Sequence, residues 1–182
     1  MGMAMKLKDY LEHHQIHYEV ITHPRSHSSI QSAKLAHVPA DRLAKPVILE
    51  DDNGYVMAVI PTTHHVKLGA LSSEMQRNLR LATERELGDL FKDCALGAIP
   101  PLGEIYGMPT IVDDELVDKP DIYFEAGDHE DLIHVDHKSF LAMMASARRT
   151  HCSRQIAVGH GERWLSPPIG RDWSDPAYYG GA

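Results

Sequence analysis

Ala44-Lys45-Pro46-Val47-Ile48-Leu49 and Tyr55-Val56-Met57-Ala58-Val59-Ile60, joined through Asp51-Asp52-Asn53-Gly54, read as two strands closed by a tight turn. Both runs are apolar, rich in β-branched residues and of strand length, and Asn-Gly accepts the positive φ that a short hairpin turn needs. The pairing sets Lys45 opposite the Ile60-Pro61-Thr62 end of the second strand. A lysine at the mouth of an apolar run is held against the sheet by burial instead of wandering in water.

Working outward, Leu7, Tyr10 and Leu11 space an amphipathic first helix, and Tyr18 to Thr22 reads as a strand ended by His23-Pro24. A second helix starts near Ser28 or Ser29 and breaks at Val38-Pro39. Leu68, Leu71 and Met75 predict another helix, and Thr83-Glu84-Arg85-Glu86 is a capping box that opens a short one to about Phe91. Strands follow near Thr110–Val112, Asp121–Phe124 and Leu132–Val135, with a last helix from about Lys138 to Arg148. Short strand pairs with interspersed helices and no regular βαβ alternation give an α+β fold built on a curved mixed β-sheet.

A second stretch carries chemistry. In Gly97-Ala98-Ile99-Pro100-Pro101-Leu102-Gly103, Gly97 admits unusual dihedrals or the close approach of a ligand. Pro100 and Pro101 fix φ and remove their own N–H groups, so the remaining amides point in set directions. A lysine with fixed amides suits a phosphate or an oxyanion.

In order and spacing these segments resemble the YbaK/ProRS-associated domain family, single-domain deacylases that remove wrong amino acids from tRNA. The strand lysine is Lys45, the glycine-to-proline loop is Gly97 to Pro101, and Ile122 to Gly127 with Ile133 is similar to the family's late strand and closing glycine turn. The resemblance covers roughly Lys6 to Ala147. It divides the chain into a deacylase domain, 1–147, and an irregular C-terminal extension, 148–182, and sharpens the fold to a mixed sheet or partly closed barrel with helices outside.

The resemblance implies that Lys45 meets the terminal phosphate or the ester carbonyl, and that the amides of Gly97, Ala98 and Ile99 meet the acyl-adenosine end. Pro100, Pro101, Thr62, His64, Glu125 and Gly127 then line the pocket. Pro46 and Glu125 depart from the family pattern, where small polar or hydroxyl residues are common. Pro46 deletes a donor, and Glu125 is read either as a group that recognises an amine or orients water, or as an exposed strand carboxylate. The implied substrates are tRNA for proline charged with cysteine, alanine or a small relative. No protein nucleophile is required, consistent with the lack of a Gly-x-Ser-x-Gly elbow and of a cysteine with a convincing histidine partner.

Composition bounds the rest. The chain has 182 residues, 43% of them hydrophobic, enough for one core. It shows no apolar run that would span a bilayer and no signal-peptide core, and two cysteines make neither a disulfide framework nor a zinc ribbon. A soluble cytoplasmic protein without a cofactor is expected. The net charge of −8 opposes a bulk electrostatic grip on nucleic acid. Yet Arg148, Arg149, Arg154, Arg163 and Arg171 with Trp164 and Trp173 mark a tail that clasps a single-stranded acceptor end or pins onto the domain or a twin subunit.

Two other classes stay open: a binding module for an aminoacyl-adenosine-like ligand or a synthetase, motivated by Pro46 and Glu125, and a metal-binding protein. There are 13 histidines, and His13 and His17 have i,i+4 spacing while His134 and His137 are three apart. A metal needs a third convergent ligand, which the pattern does not supply, so no metal site is expected.

Overall fold

The computed structural model describes residues 2–157. Along the chain run α1 (Met5–His13), β1 (Glu19–Thr22), α2 (Ser29–Leu35), β2 (Leu43–Asp51), β3 (Gly54–Pro61), β4 (His64–Val66), α3 (Leu68–Met75), β5 (Arg80–Leu81) and α4 (Glu84–Leu90). Then come β6 (Thr110–Asp113), α5 (Asp114–Val117), β7 (Asp121–Glu125), β8 (Asp131–Asp136), α6 (His137–Met143), β9 (Arg148–Thr150) and β10 (Ser153–Gln155).

The predicted hairpin is the centre of the main sheet. β2 and β3 pair antiparallel from Ala44 opposite Pro61 to Asp51 opposite Gly54. The positive φ falls on Gly54, at +109°. Asp51 accepts the Asn53 N–H at 2.8 Å and is gripped by two guanidinium nitrogens of Arg77, which hold its carboxyl below the usual carboxylate range. The strand order β1-β8-β7-β2-β3-β6-β9 is open, with parallel pairings at β2–β7, β3–β6 and β6–β9. β5 adds to β2 at Leu49 and Glu50, and β10 pairs separately with β4. The fold is therefore α+β on a mixed sheet.

The two strand prolines sit where the ladder does not need them. Odd-numbered residues of β2 face β3, as the Thr62 N–H to Leu43 O bond shows, whereas Ile48 O accepts from Ala82 on the other side. Pro46 thus points away from β3, between the β7 pairing at Leu43–Ala44 and the β5 pairing at Leu49–Glu50. Its missing N–H breaks no ladder bond. Pro61 points outward from β2 beyond the β6 pairing, which ends at Val59.

Strand alternation divides the apolar residues between two faces. One face carries Ala44, Ile48, Met57, Val59, Ile122, Phe124 and Ile133, covered by Leu7 and Leu11 of α1, Leu116 of α5 and Phe140 of α6. The other carries two smaller clusters, one under Leu71 of α3 with Leu49, Val56, Ala58 and Ile60, the other under Ala33 of α2 with Leu43 and Leu132. Local caps agree with the sequence reading: Ser28 accepts from Gln31 N–H, and the Thr83–Glu86 capping box is complete.

One boundary is corrected. The last helix stops at Met143, short of Arg148, and residues 148–155, expected to begin an irregular extension, form two strands. Tertiary pairing overrides helix propensity here: β9 takes the parallel edge of β6, Arg148 reaches Glu74 at 2.7 Å, and Cys152 N–H donates to buried Asp113 at 3.0 Å. Arg163, Trp164, Arg171 and Trp173 lie outside the described residues. No helix among those described is long and apolar enough to cross a membrane.

Cutting the chain after Ala147 would leave the outer edge of β6 unpaired and strip a donor from Asp113. We expect a loss of at least about 2 kcal/mol, seen as a drop of roughly 4–8 °C in Tm by circular dichroism. An unchanged Tm would mean that β9 and β10 add nothing to stability.

Candidate functional site

Leu43, Lys45, Val47 and Leu49 share one face of β2, so Lys45 occupies a position where the pattern otherwise places an apolar side chain. It lies in the gap between the α2 and α3 clusters. Its Nζ donates to Thr62 O at 3.4 Å, no carboxylate among the described residues pairs with it, and desolvation lowers its pKa to about 8. Thr62, expected in the pocket, is buried beside it with Oγ1 lacking a partner. His64 is corrected. Alternation along β4 turns its buried ring away, Nε2 lying 3.3 Å from Glu115 and Nδ1 3.0 Å from Thr63 Oγ1. His65 is the ring that senses Lys45: desolvation, then the charges of Lys45 and Arg154, lower its pKa to about 4. Arg154 stands opposite His65 in the β4–β10 pair.

The glycine–proline loop is tied to the turn between β7 and β8. Ala95 N–H donates to Gly127 O at 2.7 Å, and His129 Nε2 lies 2.5 Å from Leu96 O. Because a carbonyl only accepts, Nε2 carries the hydrogen and Nδ1 is left as an acceptor. That Nδ1 is buried without a partner, and desolvation lowers the pKa of the ring, keeping it neutral. Gly97 has φ +84°, and a Cβ there would sit 3.2 Å from His129 Cε1. Of the three amides expected to serve a ligand, Ala98 N–H is already used, donating to Ala95 O at 3.0 Å. The Gly97 and Ile99 N–H groups find no acceptor among the described residues. Pro100 and Pro101 are buried and shape the loop. Gly127, at φ +127°, is a positioning residue: a Cβ there would lie 2.9 Å from Ala4.

Glu125 is buried, not an exposed strand carboxylate. The parallel register that pairs Ala44 with Phe124 brings Lys45 and Glu125 next on neighbouring strands. Oε1 accepts a short hydrogen bond from Ser32 Oγ, itself 2.6 Å from Ser26 Oγ, while Oε2 has no partner. Burial, with a lesser contribution from Asp128 and against the Ser32 bond, pushes the carboxyl up to about 7. Among the described residues, four of the five buried side-chain atoms without partners belong to His23, Thr62, Glu125 and His129. Such atoms call for a ligand or solvent.

Nucleophilic and metal readings gain nothing. Desolvation raises Cys94 to about 11 and Cys152 to about 12, so both are thiols at neutral pH. Among the described residues no three His, Cys, Asp or Glu side chains converge on a metal position. His134 bonds Glu19 and Asp121, and His137 Nδ1 donates to Lys119 O.

The model of the aminoacyl-tRNA editing domain family matches residues 23–142, and the chain belongs to that family. No curated protein matches the chain. A solved candidate trans-editing enzyme for prolyl-tRNA synthetase aligns with TM-score 0.71 at 21% identity, over 83% of this chain and 96% of its own. A scaffold protein used in epitope grafting by computational design aligns at 0.72 and 18%, over 84% and 97%. A Marinobacter aquaeolei VT8 protein, a candidate signal transduction protein, aligns at 0.65 and 21%; the match takes 81% of this chain but only 30% of that one. These likenesses establish a common fold.

His129 was not among the residues that the sequence reading placed in the pocket. The sequence shows a histidine two residues past a turn glycine, and the structure holds it at φ +66°.

Two predictions follow from this geometry. Lys45 is depressed from 10.5 to about 8, so the folded state carries the cost of a buried cation below pH 8 and gains stability as pH rises from 8 to 10.5. Lys45→Met should raise Tm at pH 7 and flatten that rise in melts across pH; a lower Tm would show the ammonium to be stabilising. Gly97→Ala should cost about 1–2 kcal/mol from its positive φ alone and displace the His129 ring, read as a shifted imidazole resonance.

Proposed function

We propose that the chain is an aminoacyl-tRNA deacylase acting in trans on mischarged tRNA in the cytoplasm. The observation that carries this reading is the buried, unneutralised Lys45, together with the unengaged Gly97 and Ile99 amides and the orphaned polar atoms, in a chain of the editing-domain family. Lys45 binds the terminal phosphate or the ester carbonyl, and the Gly97 and Ile99 amides hold the acyl-adenosine end. Water, oriented by the neighbouring 2′-hydroxyl, adds to the carbonyl carbon, and its proton passes to the departing ribose oxygen. The tetrahedral intermediate collapses to release the amino acid and the terminal ribose hydroxyl.

His129 Nδ1, neutral and fixed in tautomer, is suited to accept a hydrogen bond from the attacking water. The protein supplies no nucleophile, as the two protonated thiols agree. Small amino acids misattached to proline tRNA, cysteine or alanine, are the proposed substrates, a reading supported by the structural likeness to a candidate prolyl-tRNA synthetase trans-editing enzyme. A synthetase is the proposed partner in delivery.

The test is a deacylation time course on a panel of charged tRNAs, including proline tRNA carrying cysteine, alanine and serine. We expect selective hydrolysis that falls by about 100-fold or more in Lys45→Ala, comparable to removal of one oxyanion donor. Folded protein that hydrolyses no member would favour a binding module.

A further inference from the structure

We propose that Glu125 is a specificity-determining residue that reads the α-ammonium of the acyl group, so that the site takes amino acid esters with a free amine and rejects those without one. The inference rests on the deacylase reading and narrows its substrate. It stands on how the carboxylate is held.

Oε1 is fixed by Ser32 Oγ from α2, and Ser32 is fixed in turn by Ser26, so the carboxylate cannot rotate freely. Oε2 is buried and unpartnered, and no cation among the described residues forms an ion pair with it. A buried carboxylate oxygen without a partner is costly unless something completes it.

The neighbours say what that something is. Around this end of the sheet the free groups sort into two kinds. Lys45 Nζ and the Gly97 and Ile99 N–H groups are donors. Glu125 Oε2 and His129 Nδ1 are acceptors. An α-amino ester has the matching order, a carbonyl that only accepts next to an ammonium that only donates. Water or a substrate hydroxyl would satisfy Oε2 as well, but neither brings the positive charge that a desolvated carboxylate favours. The raised pKa agrees, since it marks a carboxyl whose charge has no compensation inside the protein.

The test uses non-hydrolysable amide analogues of 3′-alanyl adenosine in three forms: free amine, N-acetylated, and lacking the amine altogether. Calorimetric titration of the whole chain should show the free amine bound roughly 10- to 100-fold tighter than either other form, the span of a hydrogen bond to a charged group. Glu125→Gln, isosteric and checked for folding by its melt, should bring the three affinities together, and Ser32→Ala should reduce the preference in part. Lys45→Ala should weaken all three forms alike. Equal binding of the three forms by the parent would overturn the ammonium inference while leaving the deacylase reading in place. So would a preference that survives in Glu125→Gln. Failure of the parent to bind any form would overturn both.

Discussion

The β2–β3 register is the constraint on which the rest of the structure depends. Eight residue pairs fix it, and β7, β5 and β6 all dock on its outer sides. Since side chains alternate with period two, a slip of one residue would send Leu43 and Leu49 into the opposite core and turn Lys45 with them. It would also bring Pro46 into a ladder position that needs an N–H. The prolines thus act as a register lock as well as being tolerated where they stand. The turn closes the same constraint from the other end, with Asp51 held by both Asn53 and Arg77.

Within that frame the site is made of charges that the fold declines to neutralise. Lys45 and Glu125 follow one another on adjacent strands, yet they form no ion pair. A buried pair would have been close to neutral for stability, each charge offsetting much of the other's desolvation. Kept apart, each costs the fold something. The carboxyl favours its proton up to about 7 and the ammonium releases its own near 8, the mark of two charges that burial disfavours. On the proposed reading, stability is given up where binding is needed, and the apolar clusters on both faces of the sheet carry the deficit.

How much of this the sequence disclosed follows from which forces are local. The hairpin, the Ser28 cap and the Thr83–Glu86 box are set within a few residues, and all were legible. Gly97 was legible as a backbone device. The end of α6 was not, because Ala145 to Arg148 has helical propensity and only the open edge of β6, far away in sequence, decides otherwise. His64 and His65 could not be told apart without knowing which face of β4 meets Lys45. Ser32 and Glu125 are 93 residues apart, and a bond across that span leaves no trace in composition or period.

On the proposed reading, Gly97 and His129 show why a site without a nucleophile still demands close placement. Leu96 O fixes the tautomer of His129, and that bond requires the ring to lie against the Cα of Gly97, where any Cβ would press on Cε1 at 3.2 Å. The glycine is therefore needed twice, for its positive φ and for the space above it. Ala95 N–H bonded to Gly127 O holds the other side of the same contact, and Gly127 in turn admits Ala4 of the N-terminal segment. Loop, turn and N-terminus thus form one chain of close approaches that ends on a neutral imidazole nitrogen. A reaction whose ester is labile by itself needs little more than such placement, because orientation and a few preorganised dipoles supply most of what catalysis requires.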